Sequence, residues 1–130
     1  FMNISTDYLN DTALVRVTGR VDHSNARDFE TELENLQHNF FNESGKHLLV
    51  DFTGLEFITS AGLRGLLFAA KTLKAQSGSM VIVNPNSTVL EVLKISRFDL
   101  LFPIMENIEE ALKEISPTAY ETHISQQQQI

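Results

Sequence analysis

One stretch of the sequence holds residues that could do chemistry in a fixed arrangement, and it centres on Ser60. Apolar residues recur at helical spacing after the run Thr59-Ser60-Ala61-Gly62, which predicts a helix beginning at about Ser60. The first N–H groups of that helix, those of Ala61, Gly62 and Leu63, would lack partners and would favour an anion beside Ser60. A phosphate on Ser60 would bring about −1.5 to −2 charges to these donors. Serine is also a common helix cap, which explains the residue without any function.

Patterns for catalysis, metal binding or nucleotide binding are missing from the sequence. The four histidines, at 23, 38, 47 and 123, form no pair at the three- or four-residue spacing that places two ligands on one helix face. The absence of cysteine excludes disulfides and thiolate sites. Neither a phosphate-binding glycine loop nor the Gly-x-Ser-x-Gly elbow of hydrolases is present, and Ser60 has no obvious base. We therefore expect no enzyme activity, no metal and no cofactor.

The elements that must position Ser60 alternate between strand and helix after an initial hairpin. Period-two patterns predict strands from Asn3 to Leu9 and from Thr12 to Thr18, with a turn at Asn10-Asp11. Apolar runs predict strands at 47–52, which we expect to be covered on both faces, and at 80–83. The predicted helices begin at Ser24, at Ser60, at a Ser87 cap and at Asn107; the first carries Ala26, Phe29, Leu33, Leu36 and Phe40, and the last ends at Pro117.

This order predicts an α/β fold in one domain. We expect a mixed sheet of four to five strands covered by about four helices. With 130 residues, of which 42% are apolar, the chain has material for one core, which we assign to residues 1–117. Residues 118–130 contain four consecutive glutamines and little hydrophobic pattern, so we expect a mobile tail there.

The net charge of the chain argues against two classes of binding partner. A net charge of −7 disfavours binding to nucleic acid or to an anionic membrane surface. The longest apolar run, Leu66 to Ala70, is far shorter than the roughly 20 residues that span a bilayer. We therefore expect a cytoplasmic protein that acts on neither nucleic acid nor membrane.

The run from Leu49 to Leu63, LVDFTGLEFITSAGL, resembles the signature of the STAS-domain anti-sigma factor antagonists of bacteria. In that family an apolar strand ending in Asp precedes an apolar pair, Asp-Ser-Ser/Ala-Gly-Leu and a helix, and the first serine accepts phosphate; it matches Ser60. A second element, a Gly-x-Leu/Val-Asp loop beside that serine, resembles Gly19 to His23, which includes Asp22. The resemblance extends from about Thr12 to Ile115. At Thr59 the chain departs from the family, in which many members carry Asp there.

The resemblance implies a regulatory cycle called partner switching, which controls transcription. The unphosphorylated antagonist binds an anti-sigma factor that is also a serine kinase, phosphorylation of Ser60 ends the binding, and a serine phosphatase restores it. The implied contact patch comprises Asp22, Ser24, Thr59, Ser60, Ala61, Gly62, Leu63 and Arg64, with Lys71 as a further exposed candidate. The departure at Thr59 leaves open whether Thr59 itself is modified. STAS domains also serve as constitutive scaffolds or as subunits of lipid-transport complexes, and this is the alternative function.

Overall fold

A mixed β-sheet forms the centre of the protein in the computed structural model, which describes residues 1–129. The strands of this part of the chain are β1 (Met2–Leu9), β2 (Thr12–Val21), β3 (His47–Asp51), β4 (Leu55–Ile58), β5 (Ser79–Val83) and β6 (Ile104–Met105). The α-helices are α1 (Ala26–Leu36), α2 (Ser60–Ala75), α3 (Ser87–Ile95), α4 (Ile108–Ile115) and α5 (Pro117–Gln127). The predicted α/β class is confirmed, and the sheet gains a sixth strand because β4 and β6 are too short to leave a clear sequence pattern.

The strands lie in the order β1-β2-β3-β5-β6, and β4 pairs with the end of β2. Strands β1 and β2 form the predicted antiparallel hairpin, with Leu9 opposite Thr12. All the other pairings are parallel. The end of β2 therefore leaves β3 and continues beside β4, which brings the segments after β2 and β4 to the same edge of the sheet.

Helices cover both faces of the sheet. Leu48 and Val50 of β3 point into the larger cluster, which includes buried residues of α1, α2 and α3. Leu49 between them points to the other face, where Ala111 of α4 and Ala119 of α5 are buried. The nearly continuous apolar run of β3 follows from this double cover, as predicted.

The end of α1 departs from the predicted helical spacing. After Leu36 the chain makes a wider π-helical turn, Gln37–Phe41, which adds one residue to the turn. As a result Phe41 is buried, whereas Phe40 is only half-buried and packs edge-on against Tyr8 at 4.9 Å between ring centroids.

The expectation of an unpacked tail after residue 117 is wrong for most of that segment. Pro117 ends α4 and also opens helix α5, where its fixed φ suits the first helical position. The buried Ser116 caps α5 by accepting a hydrogen bond from the Ala119 N–H (3.1 Å), and its hydroxyl donates to Asp11 Oδ1 (2.6 Å). Ala119 and His123 are buried, so packed structure extends beyond residue 117. Of the expected tail, Ile130 lies outside the described residues.

Side-chain caps fix the starts of α3 and α4. Asn107 accepts a hydrogen bond from the Glu110 N–H (2.8 Å), in agreement with the predicted helix start. For α3 the predicted Ser87 cap is wrong, because Asn86 accepts from the Val89 N–H (2.8 Å) and Ser87 is the first helical residue. The Asn86 amide also donates to the Leu55 carbonyl (3.1 Å), which ties α3 to β4.

Candidate functional site

Two loops meet at the carboxyl ends of β2 and β4. Val21 and Ile58 pair in parallel register at these ends, and the Thr59 N–H donates to the Val21 carbonyl (2.9 Å). Asp22 follows Val21, and Ser60 follows Thr59. Strand pairing therefore brings together the two sequence elements that we singled out separately.

Helix α2 begins at Ser60, as predicted, but Ser60 is not its cap. Thr59 is the cap residue, with extended backbone angles, and Ser60 is the first helical residue. The Leu63 N–H donates to the Thr59 carbonyl (3.0 Å), so it is not free. The N–H groups without an acceptor inside the helix are those of Ser60, Ala61 and Gly62, and they carry the positive end of the helix dipole.

The hydroxyls of Ser60 and Thr59 differ sharply in accessibility. Ser60 is exposed, and none of the side-chain hydrogen bonds within residues 1–129 involves its hydroxyl. The Thr59 hydroxyl oxygen is buried and also lacks a partner in this part of the chain. An incoming enzyme can therefore reach Ser60 without a change of structure, whereas Thr59 would first have to be exposed.

The Asp22 loop is held in one conformation by its own side chains. Asp22 Oδ1 accepts hydrogen bonds from the Ser24 N–H (2.9 Å) and the Ser24 hydroxyl (2.5 Å). Asn25 closes the loop: its Oδ1 accepts from the Asp22 N–H (2.9 Å), and its amide donates to the Arg20 carbonyl (2.9 Å). The Ser24 hydrogen bonds lower the pKa of the Asp22 carboxyl below its ordinary value, which favours the ionised form of Asp22 on the loop that follows β2.

Two members of the expected contact patch lie in the core. Gly62 and Leu63 are buried, because the first turn of α2 packs directly onto the ends of β2 and β4. A Cβ on Gly62 would lie 2.6 Å from Val21 Cγ1 and 2.8 Å from Ile58 Cγ1, so a larger residue does not fit. The prediction that Gly62 and Leu63 form part of the contact surface is therefore wrong: both residues lie in the core beneath it.

The surface around Ser60 is formed by the remaining candidates and by basic residues that sequence reasoning missed. Ser24 and Arg64 are exposed, and Asp22, Thr59 and Ala61 are half-buried. Lys71 is also exposed and lies on α2 about two turns after Arg64. Arg27 and His23 line a hollow together with Ala61 and Arg64. Their only sequence signal was proximity to the Asp22 loop, since no pattern in α1 distinguishes Arg27 from the other exposed charges.

Neither metal-binding clusters nor membrane-spanning helices are found within residues 1–129. Residues 1–129 contain no group of three or more His, Asp or Glu side chains that could hold a metal ion. Among these residues, no helix combines the length and the apolar character needed to cross a bilayer.

Comparisons with known proteins match the chain over most of its length. The family model for the STAS domain matches residues 3–111. BtrV of Bordetella bronchiseptica, named as a candidate anti-sigma factor antagonist, is 30% identical over 110 residues, which cover 85% of this chain and 91% of BtrV.

The fold resembles the Bacillus protein SpoIIAA, an anti-sigma factor antagonist solved in two forms. Its unphosphorylated form superposes with a TM-score of 0.74 at 21% identity, covering 86% of this chain and 95% of SpoIIAA. Its phosphorylated form superposes with a TM-score of 0.68 at 20% identity, covering 86% and 98%. At these identities the likeness shows a common fold.

Proposed function

The chain belongs to the STAS domain family of anti-sigma factor antagonists, and from this membership we propose that Ser60 is the phosphorylation site of a partner switch. The unphosphorylated protein binds an anti-sigma factor that is also a serine kinase. Phosphorylation of Ser60 by that kinase releases the protein, and a serine phosphatase restores the binding form. The protein is the substrate and binding partner in this cycle.

The exposure of the Ser60 hydroxyl at the first position of α2 carries this proposal. A kinase needs an accessible hydroxyl, and Ser60 offers one, whereas the Thr59 oxygen is buried. The free N–H groups of Ser60, Ala61 and Gly62 favour a doubly charged group at this helix end. Phosphorylation is therefore compatible with the folded helix.

The neighbourhood of Ser60 explains why a phosphate would end partner binding. The ionised Asp22 lies on the adjacent loop, so a phosphate adds to an existing negative charge in the middle of the contact patch. Any partner surface complementary to the unphosphorylated patch would meet about two further charges that must be desolvated. Release then follows from electrostatics, without a large change of fold.

The same conclusion is supported by the named relatives. SpoIIAA has been solved both unphosphorylated and phosphorylated. Both structures superpose on this chain over 86% of its length. BtrV, which is named as a candidate anti-sigma factor antagonist, aligns with this chain over 91% of its length.

Phosphate transfer tests the acceptor directly. The wild-type chain is incubated with ATP and the anti-sigma factor kinase that binds it, and the modified residue is located by mass spectrometry. We expect one phosphate on Ser60, none in Ser60→Ala, and undiminished transfer in Thr59→Val. Ser87→Ala is the matched control, because Ser87 is likewise an exposed serine at the first position of a helix.

Two results would contradict the proposal. Transfer that persists in Ser60→Ala would place the acceptor elsewhere. Stable binding to one partner with no phosphate transfer, and with the same affinity in Ser60→Asp, would favour the alternative function of a constitutive scaffold.

A further inference from the structure

A hollow opens beside Ser60 between the first turns of α1 and α2. It is lined by His23, Ala26, Arg27, Glu30, Ala61 and Arg64. Its volume is about 170 Å³, room for several waters at about 30 Å³ each, or for one side chain of a partner. Ala61 connects this hollow to Ser60, so both belong to one surface.

The hollow is basic on a protein that is acidic overall. Arg27 and Arg64 are exposed, and within residues 1–129 no carboxylate oxygen lies within 4.0 Å of either guanidinium group. By contrast, Arg16 pairs with Asp7 at 2.6 Å. Glu30 contributes one negative charge to the lining, against the two positive charges of the arginines. The chain as a whole carries a net charge of −7, so this concentration of positive charge is local.

We propose that this hollow binds an acidic side chain, Asp or Glu, of the anti-sigma factor, an inference that rests on the proposed function. Two guanidinium groups on neighbouring helices offer paired N–H donors to the two oxygens of a carboxylate. Because these groups have no carboxylate partner of their own, binding does not require an existing ion pair to be broken. An acidic side chain in the hollow would fix the orientation of the partner over Ser60.

A protein carboxylate fits the hollow better than a nucleic acid does. A nucleic acid follows a surface with many positive charges, and its affinity depends on the number of phosphates neutralised. The hollow offers only two arginines, Arg27 and Arg64, and the net charge of −7 repels a long polyanion.

The chain alone provides the first test. The arginine side-chain Nε–Hε signals are followed by NMR during titration with the peptide tetraglutamate, with tetraglutamine as the uncharged peptide. We expect saturable shifts for Arg27 and Arg64 with tetraglutamate only, and their loss in the double variant Arg27→Gln, Arg64→Gln. Arg97→Gln is the matched control, since Arg97 is also exposed and unpaired in the described chain but lies outside the hollow. Shifts with tetraglutamine, or equal shifts with a four-nucleotide single-stranded DNA, would overturn the proposal.

The second test uses the anti-sigma factor kinase. We expect each single Arg→Gln variant in the hollow to lower the affinity about threefold to tenfold, with a smaller difference at high salt, and Arg97→Gln to leave it unchanged. Both hollow variants could bind as the wild type does while phosphorylation of Ser60 still releases the partner. That result would overturn the proposal that the hollow binds an acidic side chain and would leave the proposed function intact. The opposite result is that tetraglutamate shifts the Arg27 and Arg64 signals although the chain binds no anti-sigma factor kinase. It would overturn the proposed function, while the hollow would still be a site for acidic side chains.

Discussion

Gly62 packs directly against Val21, and this contact joins the helix that carries Ser60 to the strand that leads into the Asp22 loop. A Cβ on Gly62 would lie 2.6 Å from Val21 Cγ1, a distance that real Cβ atoms do not adopt. The relative position of the two halves of the site therefore depends on the absence of a side chain at residue 62.

Gly62→Ala should destabilise the protein although alanine favours helix. The added methyl group overfills the contact with Val21 and Ile58, and we expect the free energy of unfolding to fall by about 1–3 kcal/mol, measured by urea denaturation. Gly65→Ala on the same helix is the control: its Cβ would lie 3.4 Å from Glu30 Cα, so the change should be neutral or stabilising by up to about 1 kcal/mol. Equal losses in the two variants would show that the close contact at Gly62 is not the cause.

Ser24→Ala should raise the pKa of the Asp22 carboxyl towards its ordinary value of 3.8, because both hydrogen bonds that lower it come from Ser24 and the hydroxyl supplies the larger effect. The folded-state pKa lies below that of the unfolded chain. The ionised carboxylate therefore stabilises the folded loop above about pH 4 and loses this effect as the pH falls through the folded-state pKa. A carbon NMR titration of the Asp22 carboxyl gives the two pKa values. An unchanged pKa in Ser24→Ala, with Ser125→Ala as the control, would contradict this assignment.

Thr59→Val should leave the free energy of unfolding unchanged or raise it by about 1 kcal/mol. Its buried hydroxyl has no partner among the described residues and makes no capping hydrogen bond, so its removal relieves an unpaired polar group. Thr12→Val is the contrasting variant, because the buried Thr12 hydroxyl donates to Asp11 Oδ1 (3.1 Å); we expect a loss of about 1 kcal/mol. Urea denaturation gives the free energy of unfolding of both variants. An equal decrease in Thr59→Val and Thr12→Val would show that the Thr59 hydroxyl does have a hydrogen-bond partner.

Ser116→Ala should loosen helix α5. The variant removes the cap of α5 and the hydrogen bond to Asp11, so we expect a loss of about 1–2 kcal/mol in unfolding free energy. Hydrogen exchange should become faster in α5 before it changes in the central strand β3. Ser125→Ala, on the exposed side of the same helix, should have no effect. Unaltered exchange in α5 would show that Ser116 does not hold this helix in place.

Most of the fold could be predicted because its elements carry local patterns. The hairpin follows from alternating residues around Asn10-Asp11, and the double cover of β3 follows from its apolar run. Helix α5 could not be predicted, because few of its residues are buried and its position depends on Ser116 and Asp11, which lie far apart in the sequence. The wide turn at the end of α1 also left no clear signal, since Phe40 and Phe41 are both apolar.

The candidate site was predictable in part. The family resemblance pointed to Ser60 and Asp22, and the pairing of β2 with β4 accounts for their proximity. Local sequence could not show that Gly62 and Leu63 face the core, because the first turn of a helix can pack in several directions. Arg27 was missed for a related reason: only the packing of α1 against α2 brings it to the same hollow as Arg64.

The affinity for the anti-sigma factor kinase, compared between the unmodified chain and a chain with phosphoserine installed at position 60 during synthesis, tests the central claim most directly. A chain with phosphoserine at position 87 is the matched control, since Ser87 occupies the same helical position on α3. We expect phosphate at position 60 to weaken binding about tenfold or more, because two added charges lie within the contact patch, and phosphate at position 87 to leave it unchanged. Equal affinities for the unmodified and position-60 chains would contradict the assignment of Ser60 as the switch.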